Sequence, residues 1–206
     1  MKVLLINGSP NKDGATNFAL EEIGKVLEEN NIYYEVFWIG NKAISGCIGC
    51  GNCFKTKRCF IDDKVNEFIE KAKEADGYIF GSAVHYAGPT GFLKSFMDRC
   101  FYGKSSVFEY KPAASIVSCR RGGAATAFDD INKYFTISNM LVVGSQYWNL
   151  IHGNSKEEAK QDLEGLQTMR TLAKNMIWIL KLIENGQKNG INKPEKEKRI
   201  STNFIR

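Results

Sequence analysis

Val3, Leu4, Leu5 and Ile6 are four consecutive apolar residues that run into Asn7-Gly8-Ser9-Pro10. An unbroken apolar run closed by turn residues predicts a strand buried on both faces, at the centre of a sheet. Ala19, Leu20, Ile23, Val26 and Leu27 recur at helical spacing up to Asn30-Asn31, and Tyr34 to Ile39 is aromatic and branched, which predicts a helix and then a second strand. An irregular segment rich in cysteine follows, from Ala43 to Cys59. Asp63 is placed to N-cap a helix that uses Val65, Phe68, Ile69 and Ala72, and Gly77 to Gly81 predicts a short third strand. Leu93, Phe96, Met97 and Phe101 mark the next helix, Ala113 to Val117 a fourth strand, and Ala127, Phe128, Ile131, Tyr134 and Phe135 a further helix. Leu141 to Val143 predicts a fifth strand. Ser155 is spaced from Glu158 as in a capping box, so one long last helix is expected through Leu163, Leu172 and Leu180, stopping at Gly186. Strands alternating with helices imply a doubly wound, five-stranded parallel sheet in a three-layer α/β/α arrangement.

Composition narrows this to one domain. The chain has 206 residues, 43% hydrophobic and 25% charged, enough for a single core. The net charge is +5, but residues 187–206 hold six basic residues (Lys188, Lys193, Lys196, Lys198, Arg199, Arg206) against Glu195 and Glu197. The folded unit is expected over residues 1–186 and is close to neutral, which argues against nucleic acid as a partner. The charged tail, 187–206, reads as disordered or as an arm reaching a neighbouring subunit. No apolar run approaches the roughly 18 residues that a membrane span needs, so a cytoplasmic location without a membrane partner is expected.

In an open parallel sheet, ligands bind beyond the carboxyl ends of the strands. The loop after the first strand, Gly8-Ser9-Pro10-Asn11-Lys12-Asp13-Gly14-Ala15-Thr16-Asn17, sets small residues, hydroxyls and amides before a helix start, where N–H groups and the helix dipole favour a phosphate. Neither a triphosphate-binding loop nor a dinucleotide fingerprint is present, so a single phosphate, as on FMN, suits it better than ATP or a dinucleotide. Ser82-Ala83-Val84-His85-Tyr86-Ala87-Gly88, after the third strand, sets two aromatic rings among small residues and could frame a flat ring. Cys119-Arg120-Arg121-Gly122-Gly123, after the fourth, offers backbone donors and two guanidinium groups that could stabilise negative charge on a reduced ring.

The Gly8-Ser9-Pro10 and Gly14-Ala15-Thr16-Asn17 stretches, Tyr86 to Lys94 with Asp98-Arg99, and Tyr147-Trp148-Asn149 resemble the NAD(P)H-dependent FMN reductase branch of the flavodoxin-like proteins. The resemblance runs from Met1 to about Glu184. It implies a flavodoxin-like fold, with Ser9, Asn11, Thr16 and Asn17 on the FMN phosphate and with Ala83 to Tyr86 and Cys119 to Gly123 bordering the isoalloxazine. Ala83 departs from the pattern, since many members carry proline there.

Four of the six cysteines fall at Cys47, Cys50, Cys53 and Cys59, with Gly46, Gly49 and Gly51 between or beside them. In a reducing compartment such spacing suggests a metal site more than a disulfide framework. Three cysteines at successive two-residue intervals suit an iron-sulfur cluster; four thiolates on zinc, or free redox-active thiols, are the alternatives. The same motif resembles the iron-sulfur flavoprotein subgroup, which implies a [4Fe-4S] cluster beside FMN at a subunit interface, and hence a homodimer or homotetramer. Cys100 and Cys119 fall outside the spacing and read as structural.

The sequence is therefore read as an FMN-dependent oxidoreductase in which the flavin carries the chemistry and no side chain is required as a general acid. NAD(P)H is a possible donor, and a ferredoxin-like carrier or a quinone a possible acceptor, with a cluster converting two-electron to one-electron transfer. The rival readings are a cluster-free NAD(P)H-dependent FMN or quinone reductase, and a non-enzymatic flavin- or zinc-binding interaction module.

Overall fold

The computed structural model describes residues 1–198, 200–202 and 204. Arg199 and Arg206, counted above in the basic tail, lie outside the described residues. In chain order the elements are β1 (Lys2–Asn7), α1 (Ala15–Glu29), β2 (Tyr33–Trp38), α2 (Asn52–Thr56), α3 (Lys64–Lys73), β3 (Gly77–His85), β4 (Gly88–Pro89), α4 (Gly91–Lys104), β5 (Pro112–Cys119), α5 (Ala124–Ile137), β6 (Leu141–Val142), β7 (Leu150–His152), α6 (Lys156–Ala159) and α7 (Leu163–Lys188).

The main sheet runs β2-β1-β3-β5-β6, all parallel, with β7 also parallel to β5 and β4 antiparallel to β3. β1 is central, as its apolar run requires: Val3 to Ile6 have no exposed surface. Their alternation divides the core. Val3 and Leu5, with Ile79, Ala114 and Ile116, face α1 and α7 through Leu20, Ile23, Leu27, Met169, Leu172 and Met176. Leu4 and Ile6, with Tyr78 and Phe80, face α3, α4 and α5. This second face is aromatic, and Phe68 on α3 is its hub, with ring centroids 5.4 Å from Phe37, 5.1 Å from Phe96 and 6.1 Å from Phe80.

The fifth strand forms at Leu141–Val142, the third runs on past Gly81 to His85, and two features are more divided than expected. The fifth strand position is shared: β6 pairs with the start of β5 and β7 with its end. Between them Asn149, wholly buried, supplies the missing bonds, accepting from Val117 N–H on its carbonyl (3.0 Å) and donating from Nδ2 to Ser115 O (3.0 Å). Gly144 and Ser145 interrupt the apolar run, so a continuous edge strand is replaced by a side chain that imitates one. The last helix is likewise two helices. Ser155 caps only α6 through Glu158 N–H (3.3 Å), and Asp162 caps α7 by accepting from Gly165 N–H (2.9 Å). α7 runs through Gly186 to Lys188; the stop is made at Gly190, where Ile191 N–H reaches back to Gly186 O (2.9 Å). Asp63 does cap α3, accepting from Val65 N–H (3.0 Å).

Phe68→Ala should cost about 3–5 kcal/mol of unfolding free energy, because it empties the centre of a close-packed aromatic cluster. Urea titration of the two proteins measures it, and a loss below about 1 kcal/mol would show that the cluster collapses freely into the gap.

Candidate functional site

β1, β3 and β5 end at one edge of the sheet, and their loops are tied to one another there. Gly8 N–H donates to Gly81 O (2.8 Å), linking the ends of β1 and β3. A Cβ on Gly8 would stand 2.8 Å from that same oxygen and 2.8 Å from Leu93 Cβ, so only glycine permits the approach. Thr90 Oγ1 donates to Gly8 O (2.6 Å) and accepts from Leu93 N–H (3.2 Å), so the N-cap of α4 also fastens the first loop. The Thr16 and Ser118 hydroxyls share a hydrogen bond of 2.7 Å, joining α1 to β5.

Buried Asn7 shapes the first loop. Its Oδ1 accepts from Ser9 N–H (3.0 Å), and its Nδ2 donates to Lys12 O (3.1 Å) and Asn17 Oδ1 (3.3 Å). Ser9 Oγ accepts from Asn11 N–H (3.2 Å), and the Trp38 indole N–H donates to Ser9 O (2.9 Å). Behind this loop α1 begins with no side-chain cap and no acidic residue in its first turn. The N–H groups of Ala15, Thr16 and Asn17 therefore face the loop without a helical partner, in the arrangement that suits a phosphate. Of the expected phosphate residues, Ser9 and Asn11 lie in the loop with Pro10 between them. The Thr16 hydroxyl is turned to Ser118 and the Asn17 amide to Glu21 Oε1 (2.7 Å), so these two can contribute backbone N–H groups.

The second loop is a hairpin. β3 continues past Gly81 through Ser82, Ala83 and Val84 to His85, turns at Tyr86-Ala87 and returns through Gly88-Pro89. Tyr86 and Ala87 both have positive φ, 48° and 59°, as a two-residue turn of this hand requires, although neither is glycine or asparagine. Such backbone costs on the order of 1–3 kcal/mol per residue and persists only where the surroundings enforce it. Ser82 Oγ accepts from Thr90 N–H (3.0 Å) and donates to Ala83 O (2.8 Å), bracing the hairpin from within. Its tip rests on Gly123, which has φ 81° and whose added Cβ would stand 2.8 Å from Ala87 Cα. Tyr86 is left fully exposed, and His85, Arg120, Arg121 and Gly122 are exposed around it. α5 also begins without a side-chain cap, at Gly123. Burial pushes the Cys119 thiol up, partly offset by the backbone N–H of Arg121, so this cysteine is a neutral packing group.

The cysteine segment lies elsewhere, along α4. Cys47, Cys50, Cys53 and Cys59 line one cavity together with Val65, Arg99 and Tyr102. Cys47 and Cys50 are exposed, Cys53 and Cys59 half-buried. Buried Asn66 clamps the backbone of Cys59, accepting from its N–H on Oδ1 (3.0 Å) and donating from Nδ2 to its carbonyl (3.1 Å). Among the described residues, no three His, Cys, Asp or Glu side chains are drawn together tightly enough to hold a single metal ion. Four cysteines around one cavity are a donor set that fits a [4Fe-4S] cluster, with one thiolate for each iron, and also zinc. Cys100 is fully buried, and burial pushes its thiol well up, as a structural cysteine requires. None of the residues of the three sheet-edge loops lines the cysteine cavity.

Sequence patterns alone gave no role to Asn7, Thr90 and Asn149, although each lies in a quoted stretch, and did not single out Asn66. Each is a single polar residue beside a strand or helix end, and the only signal was an amide or hydroxyl where the backbone changes direction.

A family model described as NADPH-dependent FMN reductase matches residues 1–155. The chain belongs to this family. Among curated proteins, an iron-sulfur flavoprotein of Methanocaldococcus jannaschii is 34% identical over 195 residues, covering 89% of this chain and 100% of that protein. The iron-sulfur flavoprotein of Methanosarcina thermophila is 29% identical over 191 residues, covering 91% and 99%. The solved structure of a flavodoxin from the domain Archaea superposes with a TM-score of 0.60 at 18% identity, covering 88% of this chain and 99% of that one, and shows the shared flavodoxin-like fold. This FMN reductase family member is accordingly an FMN-dependent oxidoreductase of the iron-sulfur flavoprotein subgroup. Among the described residues no helix is long and apolar enough to cross a membrane.

Asn11→Glu, at an exposed position, should weaken FMN binding at least about tenfold, roughly 1.4 kcal/mol, by setting negative charge against the phosphate at the start of α1. Fluorescence titration of the apoprotein with FMN measures this. An unchanged dissociation constant would move the phosphate away from residues 9–17.

Proposed function

We propose that the protein couples FMN to a [4Fe-4S] cluster held by Cys47, Cys50, Cys53 and Cys59, and acts as an electron-transfer oxidoreductase in the cytoplasm. The observation that carries this is the gathering of four cysteines from one thirteen-residue segment around a single cavity. The names of the curated relatives point the same way. When bound, the flavin supplies two-electron chemistry and the cluster one-electron chemistry.

The chain's own residues then have distinct tasks. Ser9, Asn11 and the N–H groups of Ala15 to Asn17 receive the FMN phosphate, and Asn7 and Thr90 keep the loop in shape. The hairpin Ala83 to Gly88 and the segment Cys119 to Gly123 border the ring from two sides, where Arg120 and Arg121 oppose negative charge that develops on it. Exposed Tyr86 and His85 leave the outer face open to NAD(P)H or to a quinone. Since the cysteine cavity shares no lining residue with these loops, transfer between the two centres is assigned to a homodimer or homotetramer, in which one subunit's cysteines approach another's flavin. A ferredoxin-like carrier is the alternative acceptor.

Cys50→Ala should remove iron and acid-labile sulfide from anaerobically reconstituted protein while leaving FMN per chain unchanged. Equal iron in variant and parent would refute the ligand set. Flavin without iron in the parent would instead favour a cluster-free FMN or quinone reductase.

A further inference from the structure

Among the ion pairs of the described residues, Arg99, on α4, is the most completely enclosed charge: its side chain is 1% exposed. A guanidinium withdrawn from water in this way needs every N–H group matched. Nη1 donates to Asp63 Oδ2 (2.6 Å) and to Ser45 O (3.3 Å). Nη2 donates to Asp63 Oδ1 (2.9 Å) and to Ile61 O (2.8 Å). The remaining contacts converge on one atom: Nε and Nη2 lie 3.3 Å and 3.2 Å from Cys59 Sγ, with an Nη2 N–H shared between two acceptors because that nitrogen has two N–H groups for three partners.

Two features of this pattern reach beyond packing. Asp63 already balances the arginine charge, so the two donors on Cys59 are surplus to that pair. A neutral thiol is a weak acceptor, whereas a cationic fork with two N–H groups on one sulfur matches a sulfur that carries negative charge. The partners also flank the four cysteines, Ser45 before Cys47 and Ile61 and Asp63 after Cys59, so one side chain closes this stretch onto α4. The same helix face supports the other cysteines. Tyr102 packs on Phe54, with ring centroids 5.4 Å apart, and Gly103 lets Cys53 approach until an added Cβ would stand 3.3 Å from its Sγ. No other cysteine of the four receives a cationic donor among the described residues.

We propose that Arg99 is a positioning residue for the fourth cluster ligand, and that its N–H groups on Cys59 Sγ raise the cluster's reduction potential. The proposal rests on the cluster reading above. Hydrogen bonds to ligand sulfur withdraw electron density and favour the reduced state, and they are among the established determinants of cluster potential. The effect is specific to the iron centre, because Arg99 touches none of the residues that surround the flavin loops.

The test uses full-length, anaerobically reconstituted protein with iron, sulfide and FMN counted per chain. Arg99→Lys keeps the charge but loses the planar fork. It should lower the cluster potential in an EPR-monitored titration and leave the FMN potential unchanged. Should that variant misfold, a second measurement needs no change at Arg99. In an Arg58→Lys background, which removes the one other cavity-lining guanidinium from an exposed site, arginine labelled with 15N in the guanidinium should give a nitrogen coupling to the reduced cluster by pulsed EPR. Iron present without that coupling, or an unshifted cluster potential in Arg99→Lys, overturns the role of Arg99 and leaves the cluster standing. No iron in the parent protein overturns both.

Discussion

The whole sheet edge depends on the contact between the ends of β1 and β3. Gly8 and Gly81 meet through a 2.8 Å hydrogen bond, and side chains from α1, α4 and β5 are stacked around that point. Thr16 packs against Gly81 while its hydroxyl holds Ser118; Thr90 caps α4 and holds Gly8. In a parallel sheet of order β2-β1-β3-β5, this is where the connections diverge to opposite faces and a crevice opens. Any side chain at Gly8 would force the strands apart and move three loops together. The site is therefore positioned by backbone contact, and its polar residues work mainly as braces.

α4 carries this arrangement across to the cysteines. Its N-cap belongs to the sheet edge, its inner face buries Leu93, Phe96, Met97 and Phe101 in the aromatic half of the core, and its outer face bears Arg99, Tyr102 and Gly103 against the cysteine segment. A short segment whose larger apolar side chains, Ile48 and Phe54, stay exposed does not bury enough surface to fold alone. It borrows order from a rigid helix. Arg99 and Asn66 transmit that order to Cys59, and it fades towards Cys47 and Cys50, which are exposed.

The parallel sheet, its central strand and the helix faces were legible because each rests on periodicity over many residues. The family and its loop regions were legible from short motifs such as Gly8-Ser9-Pro10 and Gly14-Ala15-Thr16-Asn17. What escaped were features set by single side chains acting across space. Nothing in the run Leu141 to Val143 announces that Asn149 completes the edge of β5. The spacing of Ser155 to Glu158 is a true cap, but it caps a four-residue helix, because Asp162 starts a new one. Gly186 resembled a stop and proved internal, since the terminating geometry belongs to Gly190 and Ile191. Arg99 was visible only as half of the Asp98-Arg99 pair in a family pattern; its partners lie 36 to 54 positions away along the chain.

The uneven support of the four cysteines bears on how a cluster would assemble. Cys59 is held by its own backbone through Asn66 and by its sulfur through Arg99, so it costs little further ordering on binding. Cys53 sits on the short helix α2 against Gly103, and Cys47 and Cys50 lie in chain without regular secondary structure. Ordering each of those loop residues costs about 1–2 kcal/mol of backbone entropy. Thiolate–iron bonds are strong enough to exceed that cost, and such coupling of ligation to local folding is general for metal sites.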